Sequence, residues 1–499
     1  MTRKILLAAV ALLPLLAAAQ DAESRIPEPS DTTFLTLDQA LEIALSENVA
    51  VKVADKEIER SGYAKKGTYA ALFPQINASG SFQRTIKKQI MYMDQDDSGE
   101  GGGGGFFGSI APYFMRIQEL SALQGLDPVT VAPSTGSSSE GFAVGRWNAW
   151  STGISANMPL VNAQLWKSIE ISGRQVELAV EQARSSRLDM VTQVKQAFYA
   201  VLLAKEALSV YRSVYDNSLQ NLAQTEKRYN VQKASELEYT RAKATAANTI
   251  PNVFNAESSV ILALWQLKAV MGVDLDLPID VAGTLSEYSE GMGYDIALED
   301  SASLDRNSTL RQLAIQAEQL AATVKMQQYA SLPSLSLGFA YNYSAMANDF
   351  VFKNYKWTPY SYVGLSLSIP IFSGGQRLNQ IRQTRVQAAE LDLQRMDTER
   401  KLRIAIRQYL TTMQTNIKSY AAARDAELTA RKAYDIAAKS YAVGRSTITD
   451  LNDAQLGLTQ SQLAVSQAVY NFVVAKSQLE QTLGYDFLDD SGNVDLVNR

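Results

Sequence analysis

The sequence contains no cysteine and no histidine. The first absence excludes disulfides, thiolate zinc sites, thiol nucleophiles and a thioether-linked lipid. The second removes imidazole metal ligands and imidazole bases, so any catalysis has to rest on carboxylates, Lys, Tyr or Ser. A charge excess is missing too. The 47 basic and 52 acidic residues are interleaved, the net charge is −5, and no basic block marks a nucleic-acid partner. After the first 19 residues no run of about 18 apolar residues occurs, so no helix is expected to cross a bilayer unaided. Neither a G-x-x-x-x-G-K-[ST] cradle nor a strand-bound G-x-G-x-x-G is present. Disorder is excluded as well, because 46% of the 499 residues are apolar, enough for several domains or one elongated assembly.

Residues 1–19 hold Arg3 and Lys4, an apolar run from Ile5 to Leu16, and Ala17-Ala18-Ala19. This is the n-region, h-region and small-residue cleavage pattern of a secretory signal, with cleavage expected before Gln20. The exported chain is then either soluble or crosses a membrane as β-strands. The remainder is duplicated. Asn48 matches Asn307 and Pro74 matches Pro333 at an offset of 259, whereas Pro159 matches Pro370 at 211 and Tyr229 matches Tyr441 at 212. The drop of 48 between the offsets measures an insertion in residues 94–145, rich in Gly and Ser with three Pro, and read as a surface loop.

Each repeat reads helix, strand, strand, helix, helix. Repeat 1, residues 20–277, opens with a helix over 36–72 that stops before Pro74. Strands follow near 75–85 and 149–158, then a helical hairpin over 165–271. Repeat 2, residues 296–488, carries strands near 334–344 and 361–369 and a hairpin over 376–483; residues 278–295 are a linker and 489–499 a tail. The strands alternate. Leu335, Leu337, Phe339, Tyr341 and Tyr343 oppose Ser334, Ser336, Gly338, Ala340 and Asn342, and one face of every strand is small and nearly uncharged. That pattern suits a membrane barrel with a polar lumen better than a soluble sandwich, and the nine aromatics between Phe339 and Tyr362, with Trp147 and Trp150, suit an interfacial girdle; an aromatic core or a glycan-binding surface is the alternative. In the helices Val194, Val201, Leu208, Tyr215, Leu222 and Tyr229 recur every seven residues, copied by Ile406, Met413, Tyr420, Glu427, Tyr434 and Tyr441, the seam of a coiled coil. Pro251 interrupts the returning helix of repeat 1 and is expected to kink it. Four strands are too few to close a barrel, since single-chain bacterial barrels start at about eight, so oligomerisation is expected.

The signal, the doubled unit, "IPIFSGGQRL" where strand passes to helix and "YAVGRSTITDLNDAQ" at the hairpin turn together resemble the TolC family of outer-membrane efflux proteins, over residues 32–488. The resemblance implies a mainly α fold with a membrane β-barrel segment. Three chains would form a 12-stranded barrel joined to a trimeric α-barrel tunnel of long antiparallel helical hairpins. The duct would dock a periplasmic adaptor protein and an inner-membrane efflux pump or ABC exporter, sit in outer-membrane lipid, and do no chemistry, with no cofactor, metal or catalytic residue. It further implies that Asp450 and Asp453 face the pore at its narrowest ring and that Tyr441 holds the closed state against the neighbouring hairpin. Tyr441, Gly444, Arg445, Arg228, Tyr229 and Glu238 fall at the entrance-closing and adaptor-contact tips. The pattern departs from the family at Ser446, where an Arg is usual, and at Gln232, where a Gly is usual. Confinement of like charges in the ring is expected to raise some of its carboxyl pKa values.

Other readings of the same residues stay open. Thr449, Asp450 and Asp453 suit a helix N-terminus, where the dipole favours acids. Glu427 on the seam is a second source of negative field. The heptads suit an exported periplasmic coiled-coil scaffold without transport, and a two-carboxylate glycosidase survives the composition but lacks acids converging in a cleft.

Overall fold

The computed structural model describes residues 33–91, 116, 142–293 and 304–485. The signal segment 1–19, nearly all of the insertion 94–145 and the tail 489–499 lie outside the described residues. In chain order the elements are β1 (Thr33–Leu35), α1 (Leu37–Glu47), α2 (Val49–Ala70), β2 (Gln75–Arg84), β3 (Gln89–Met91), β4 (Phe142–Val144), β5 (Asn148–Val161), α3 (Ala163–Asn230), α4 (Glu236–Met271), β6 (Ile279–Val281), α5 (Ser308–Tyr329), β7 (Ser334–Ala347), β8 (Thr358–Ser368), α6 (Gln376–Ala442) and α7 (Ile448–Leu483). They fall into two compact units: Met1–Ala70, Ala163–Leu332 and Ile371–Arg499 form one, Ala71–Asn162 and Pro333–Pro370 the other.

The first unit is helical. At 68 residues, α3 is roughly 100 Å long at about 1.5 Å per residue. The heptad seam is the core: Val194, Val201, Met413, Phe472 and Leu479 are buried, joined by Phe198 and Leu202 from the same face of α3. No helix among the described residues is long and apolar enough to cross a membrane. Two features differ from the sequence reading. The opening helix is not continuous over 36–72 but breaks at Asn48, whose Oδ1 accepts from Ala50 N at 2.7 Å and caps α2 while its Nδ2 donates to Val270 O at 2.6 Å. An Asn side chain that satisfies two helix ends outcompetes one backbone bond. The stretch 278–295 is more than a connection: β6 pairs in parallel with β1, and a 3₁₀ turn over Leu285–Gly293 buries Leu285 and Met292.

The break at Asn48 stacks α4 end to end on α2, and repeat 2 builds the same junction between α7 and α5. There Asn307 Oδ1 accepts from Leu310 N at 3.0 Å and its Nδ2 donates to Thr482 O at 2.7 Å. The last carbonyls of one helix thus meet the first amides of the next, head to tail with their dipoles. Gly272 and Gly484 end the incoming helices at φ 77° and 73°. A Cβ on Gly272 would lie 3.0 Å from Glu47 O, and one on Gly484 2.3 Å from Arg306 O, so both the backbone twist and the close approach require glycine. Helix α4 stays helical through Pro251.

The second unit is a four-stranded antiparallel sheet in the order β2-β5-β7-β8, with β3 and β4 paired separately. Register places Ile76 beside Ala156, Ala156 beside Phe339, and Phe339 beside Val363; Ile154 stands beside Tyr341 and Leu337 beside Leu365. Because side chains alternate with period two, this aligns the apolar sets of all four strands on one face and Asn77, Ser155, Ala340 and Tyr362 on the other. The apolar face is open: Ile76, Val363, Leu365 and Leu367 are each more than 60% exposed. The aromatics divide. Phe339, Tyr341, Tyr343, Tyr360 and Tyr362 line the strands, exposed, and Phe352 is exposed beside the rings of Trp150 and Tyr355, whereas Tyr355 itself is buried with Trp150, Ala345 and Ala347 in a small core at one end of the sheet.

Candidate functional site: the paired hairpin tips

The helical hairpins α3–α4 and α6–α7 turn in the same way. At the second tip Gly444 takes φ 77°, Gly444 N donates to Tyr441 O at 3.0 Å and Arg445 N to Ser440 O at 2.8 Å. At the first, Gln232 takes φ 56°, its N donates to Tyr229 O and Lys233 N donates to Arg228 O, both at 2.8 Å. This is the Schellman closure of a helix C-terminus in both repeats. The absence of glycine at 232 therefore leaves the turn type unchanged and places a side chain in the left-handed region, at a cost of about 1–2 kcal/mol.

Each returning helix starts with a capping box. Thr447 Oγ1 accepts from Asp450 N at 3.2 Å, and Asp450 Oδ2 accepts from Thr447 N at 2.9 Å and from Thr447 Oγ1 at 2.7 Å. Ser235 and Glu238 make the equivalent pair. The bonds from Thr447, its backbone N–H first, hold the Asp450 carboxyl below the usual carboxylate range. Within one chain this opposes the upward shift expected of a charged ring. Asp453, one turn on, is exposed on the same face of α7 as Asp450. The offset of 212 puts Arg241 opposite Asp453 and Glu238 opposite Asp450, so the acidic pair exists at one tip and a neutral Glu–Arg combination at the other. Glu427 is mostly covered and paired with Arg431 at 2.9 Å, which offsets its field.

The two tips are tied through Tyr441, which is 1% exposed among Ala242, Ile448 and Leu451. Its hydroxyl lies 2.5 Å from Thr225 Oγ1, which is itself 2.7 Å from Asn221 O. Thr225 has one proton and gives it to Asn221, so Tyr441 is the donor to Thr225. Arg228 Nη1 donates to Tyr441 O at 2.8 Å, and the guanidinium sits 5.0 Å from the centre of the Tyr441 ring. A cation there lies in the last turn of α3 and against the last carbonyls of α6, favourable for both dipoles. Arg445, also basic and at the second tip, is exposed, and its side chain makes no bond to a described residue; Ser446 Oγ donates to Ala437 O at 3.3 Å. Tyr229 does not mirror Tyr441: it is 37% exposed and stacks on Tyr239 at 5.2 Å. Thr225, three residues after Leu222 on the seam of α3, has no role in the sequence analysis. A hydroxyl at a fully buried seam position is the signal that a polar partner had to face it. Among the described residues no group of acidic side chains is placed to hold a metal ion.

A sequence model described as "Outer membrane efflux protein" matches residues 129–273 and 301–485. The chain is 25% identical over 344 residues to the outer membrane protein TolC of Vibrio cholerae, covering 67% of this chain and 76% of that one. It is 24% identical over 365 residues to the alkaline protease secretion protein AprF of Pseudomonas aeruginosa, covering 70% and 72%. The fold is similar to that of the crystallised outer membrane protein VceC of Vibrio cholerae, with a TM-score of 0.65 at 16% identity over 90% of this chain and 96% of that one. With the family model covering most of its length, the chain belongs to the outer membrane efflux protein family and is an efflux channel of the Gram-negative outer membrane.

Proposed function

We propose that three copies of the chain form a passive exit duct, a 12-stranded barrel in the outer membrane and a 12-helix tunnel in the periplasm, fed by an inner-membrane pump or ABC exporter through a periplasmic adaptor. The observation that carries this is the sheet: its apolar face is exposed, and its two unpaired edges, β2 and β8, come one from each repeat. Open edges in lipid cost several kcal/mol per unpaired group, and pairing β8 of one copy with β2 of the next removes them all. Cyclic, head-to-tail closure follows, because the two edges are different surfaces. The substrate is carried, not converted; the relative named for alkaline protease secretion and the family named for efflux leave protein and small-molecule cargo both within this reading.

The tips form the periplasmic entrance, with Asp450 and Asp453 of each copy as a ring of like charge and Tyr441, Thr225 and Arg228 as the contact that keeps the hairpins together. Adaptor contact uses the outer side of the same tips, including Gly444, Arg445, Tyr229 and Glu238. A narrow ring of carboxylates concentrates cations and repels anions. Native mass in detergent tests the assembly: a trimer is expected, and a stable monomer overturns it. Planar-bilayer recording of an Asp450→Ala, Asp453→Ala double variant tests the ring. Loss of cation preference and of divalent block is expected, and unchanged selectivity reduces both residues to helix-capping and surface roles.

A further inference from the structure

The two ends of the four-stranded sheet differ in charge. Near the unit's boundaries, residues 71–76, 157–162, 332–337 and 365–370 include no charged residue. At the opposite end, residues 84–91, 142–148 and 347–358 carry Arg84, Lys87, Lys88, Arg146, Lys353 and Lys356 against one acid, Asp349. Three of these cations are anchored to aromatic rings or to the backbone of the rim. The Arg84 guanidinium lies 4.8 Å from the centre of Phe350, the Lys88 ammonium 4.8 Å from that of Trp147, and Arg146 Nη1 donates to Met346 O at 2.8 Å. Lys88 Nζ and Trp147 N both point at Asn348 Oδ1, at 3.5 and 3.3 Å, which draws the β2 end, the β5 start and the β7 end into one cluster. Among the described residues no carboxylate pairs with any of the six. Rings stacked under cations place positive charge at the depth where an aromatic girdle meets lipid headgroups.

We infer that this rim binds the phosphates of a phosphorylated glycolipid in the outer leaflet. The inference rests on reading the sheet as part of a membrane barrel, whose far end, away from the chain's passages to the helices, then faces the outside. The strand face on the rim side of the sheet offers the acyl chains the exposed Phe82, Ile154 and Tyr343, and the cations above them meet the anionic headgroup, a two-part fit that neither a soluble phosphate nor a neutral lipid matches. Asp94, Asp96, Asp97, Glu100 and Glu140 of the same chain are nearby competing anions in sequence.

The test is native mass spectrometry of the purified full chain incubated with bisphosphorylated lipid A or with its dephosphorylated form. The wild type is expected to retain the phosphorylated form at least about tenfold better. The Arg84→Gln, Lys88→Gln, Arg146→Gln variant is expected to lose that preference. Should that variant not fold, Lys353→Gln, Lys356→Gln, which alters exposed side chains alone, is expected to lower the preference measurably. Equal retention of both lipids by the wild type overturns the inference, whether because other charge, such as Asp94, Asp96 and Asp97, occupies the rim or because only acyl chains bind. So does equal competition by inorganic phosphate, or a preference that survives in every folded variant. The same spectra report subunit number, so an intact trimer without preference removes this inference alone, whereas a monomer removes the barrel reading.

Discussion

The two repeats agree at their helix junctions and differ at their hairpin tips. At the junctions Asn48 and Asn307 make the same pair of bonds to Val270 O and Thr482 O, and Gly272 and Gly484 adopt the same left-handed turn beside them. At the tips the turn geometry is shared, but Tyr229 is stacked and exposed where Tyr441 is buried, and Glu238 and Arg241 stand where Asp450 and Asp453 do. A junction between two helix ends has one solution in backbone hydrogen bonds, so duplication preserves it. A tip has a free outer surface, and its two copies were able to take separate tasks: one buries the tyrosine and carries the acidic pair, the other supplies Thr225 and Arg228 to hold it.

The largest effect should come from breaking the shared feature. Gly484→Ala adds a Cβ 2.3 Å from Arg306 O in a left-handed residue, so a loss of about 3 kcal/mol is expected, with Gly272→Ala, where the approach is 3.0 Å, costing nearer 2. Denaturant unfolding of the detergent-solubilised protein checks the order, and equal losses would mean that backbone twist alone sets the cost. At the tips, Arg228→Gln removes a charge-assisted bond to Tyr441 O and should cost about 2 kcal/mol locally, while Tyr441→Phe removes one hydroxyl bond at about 1. Both should raise amide exchange around residues 441–447 and raise channel conductance, while the mirror substitution Tyr229→Phe leaves exchange at the second tip unchanged. A response to Tyr229→Phe equal to that of Tyr441→Phe would erase the distinction between the tips.

Smaller effects sharpen the comparison. Gln232→Gly relieves a left-handed side chain and should stabilise the first tip by about 1 kcal/mol, while Gly444→Ala destabilises the second by a similar amount; thermal unfolding of the two variants should shift in opposite directions. The smallest effect is in acid. Asp450 has a lowered carboxyl pKa in the folded chain, so its capping contribution is fully present above the ordinary carboxylate pKa and is lost as pH falls through the folded value. Amide exchange at the start of α7 should therefore distinguish wild type from Asp450→Asn at neutral pH and converge with it in acid. Persistence of the difference below the carboxylate range contradicts this assignment.

The repeat, the four alternating strands and the two long helical hairpins were legible because each rests on a periodicity that one chain carries alone: two for strands, seven for seams. The break at Asn48 was not, since residues 36–72 hold no proline or glycine signal there and the cap depends on Val270 O, 222 residues away. Tyr355 looked like a girdle residue for the same reason, because aromatic composition does not tell an exposed ring from one buried beside Trp150. At the hairpin turn, Tyr441, Gly444 and Asp450 were singled out by the family resemblance, and the residues alone offered only a seam tyrosine and an acid at a helix start. The contact of Tyr441 with Thr225 and Arg228 was not legible, because it joins heptads from different repeats.

By itself, then, the sequence determined the class of the long helices and of the four main strands, that the unit is doubled, and that no Cys or His chemistry is available. Only the tertiary structure decided that the strands of both repeats share one sheet with their apolar faces aligned, that the helices stack end to end at Asn48 and Asn307, and that the cation on Tyr441 is Arg228 and not Arg445. The division follows from range: periodicity and capping act over a few residues, whereas register, end-to-end stacking and the pairing of buried hydroxyls are set by which distant backbone groups must be satisfied together.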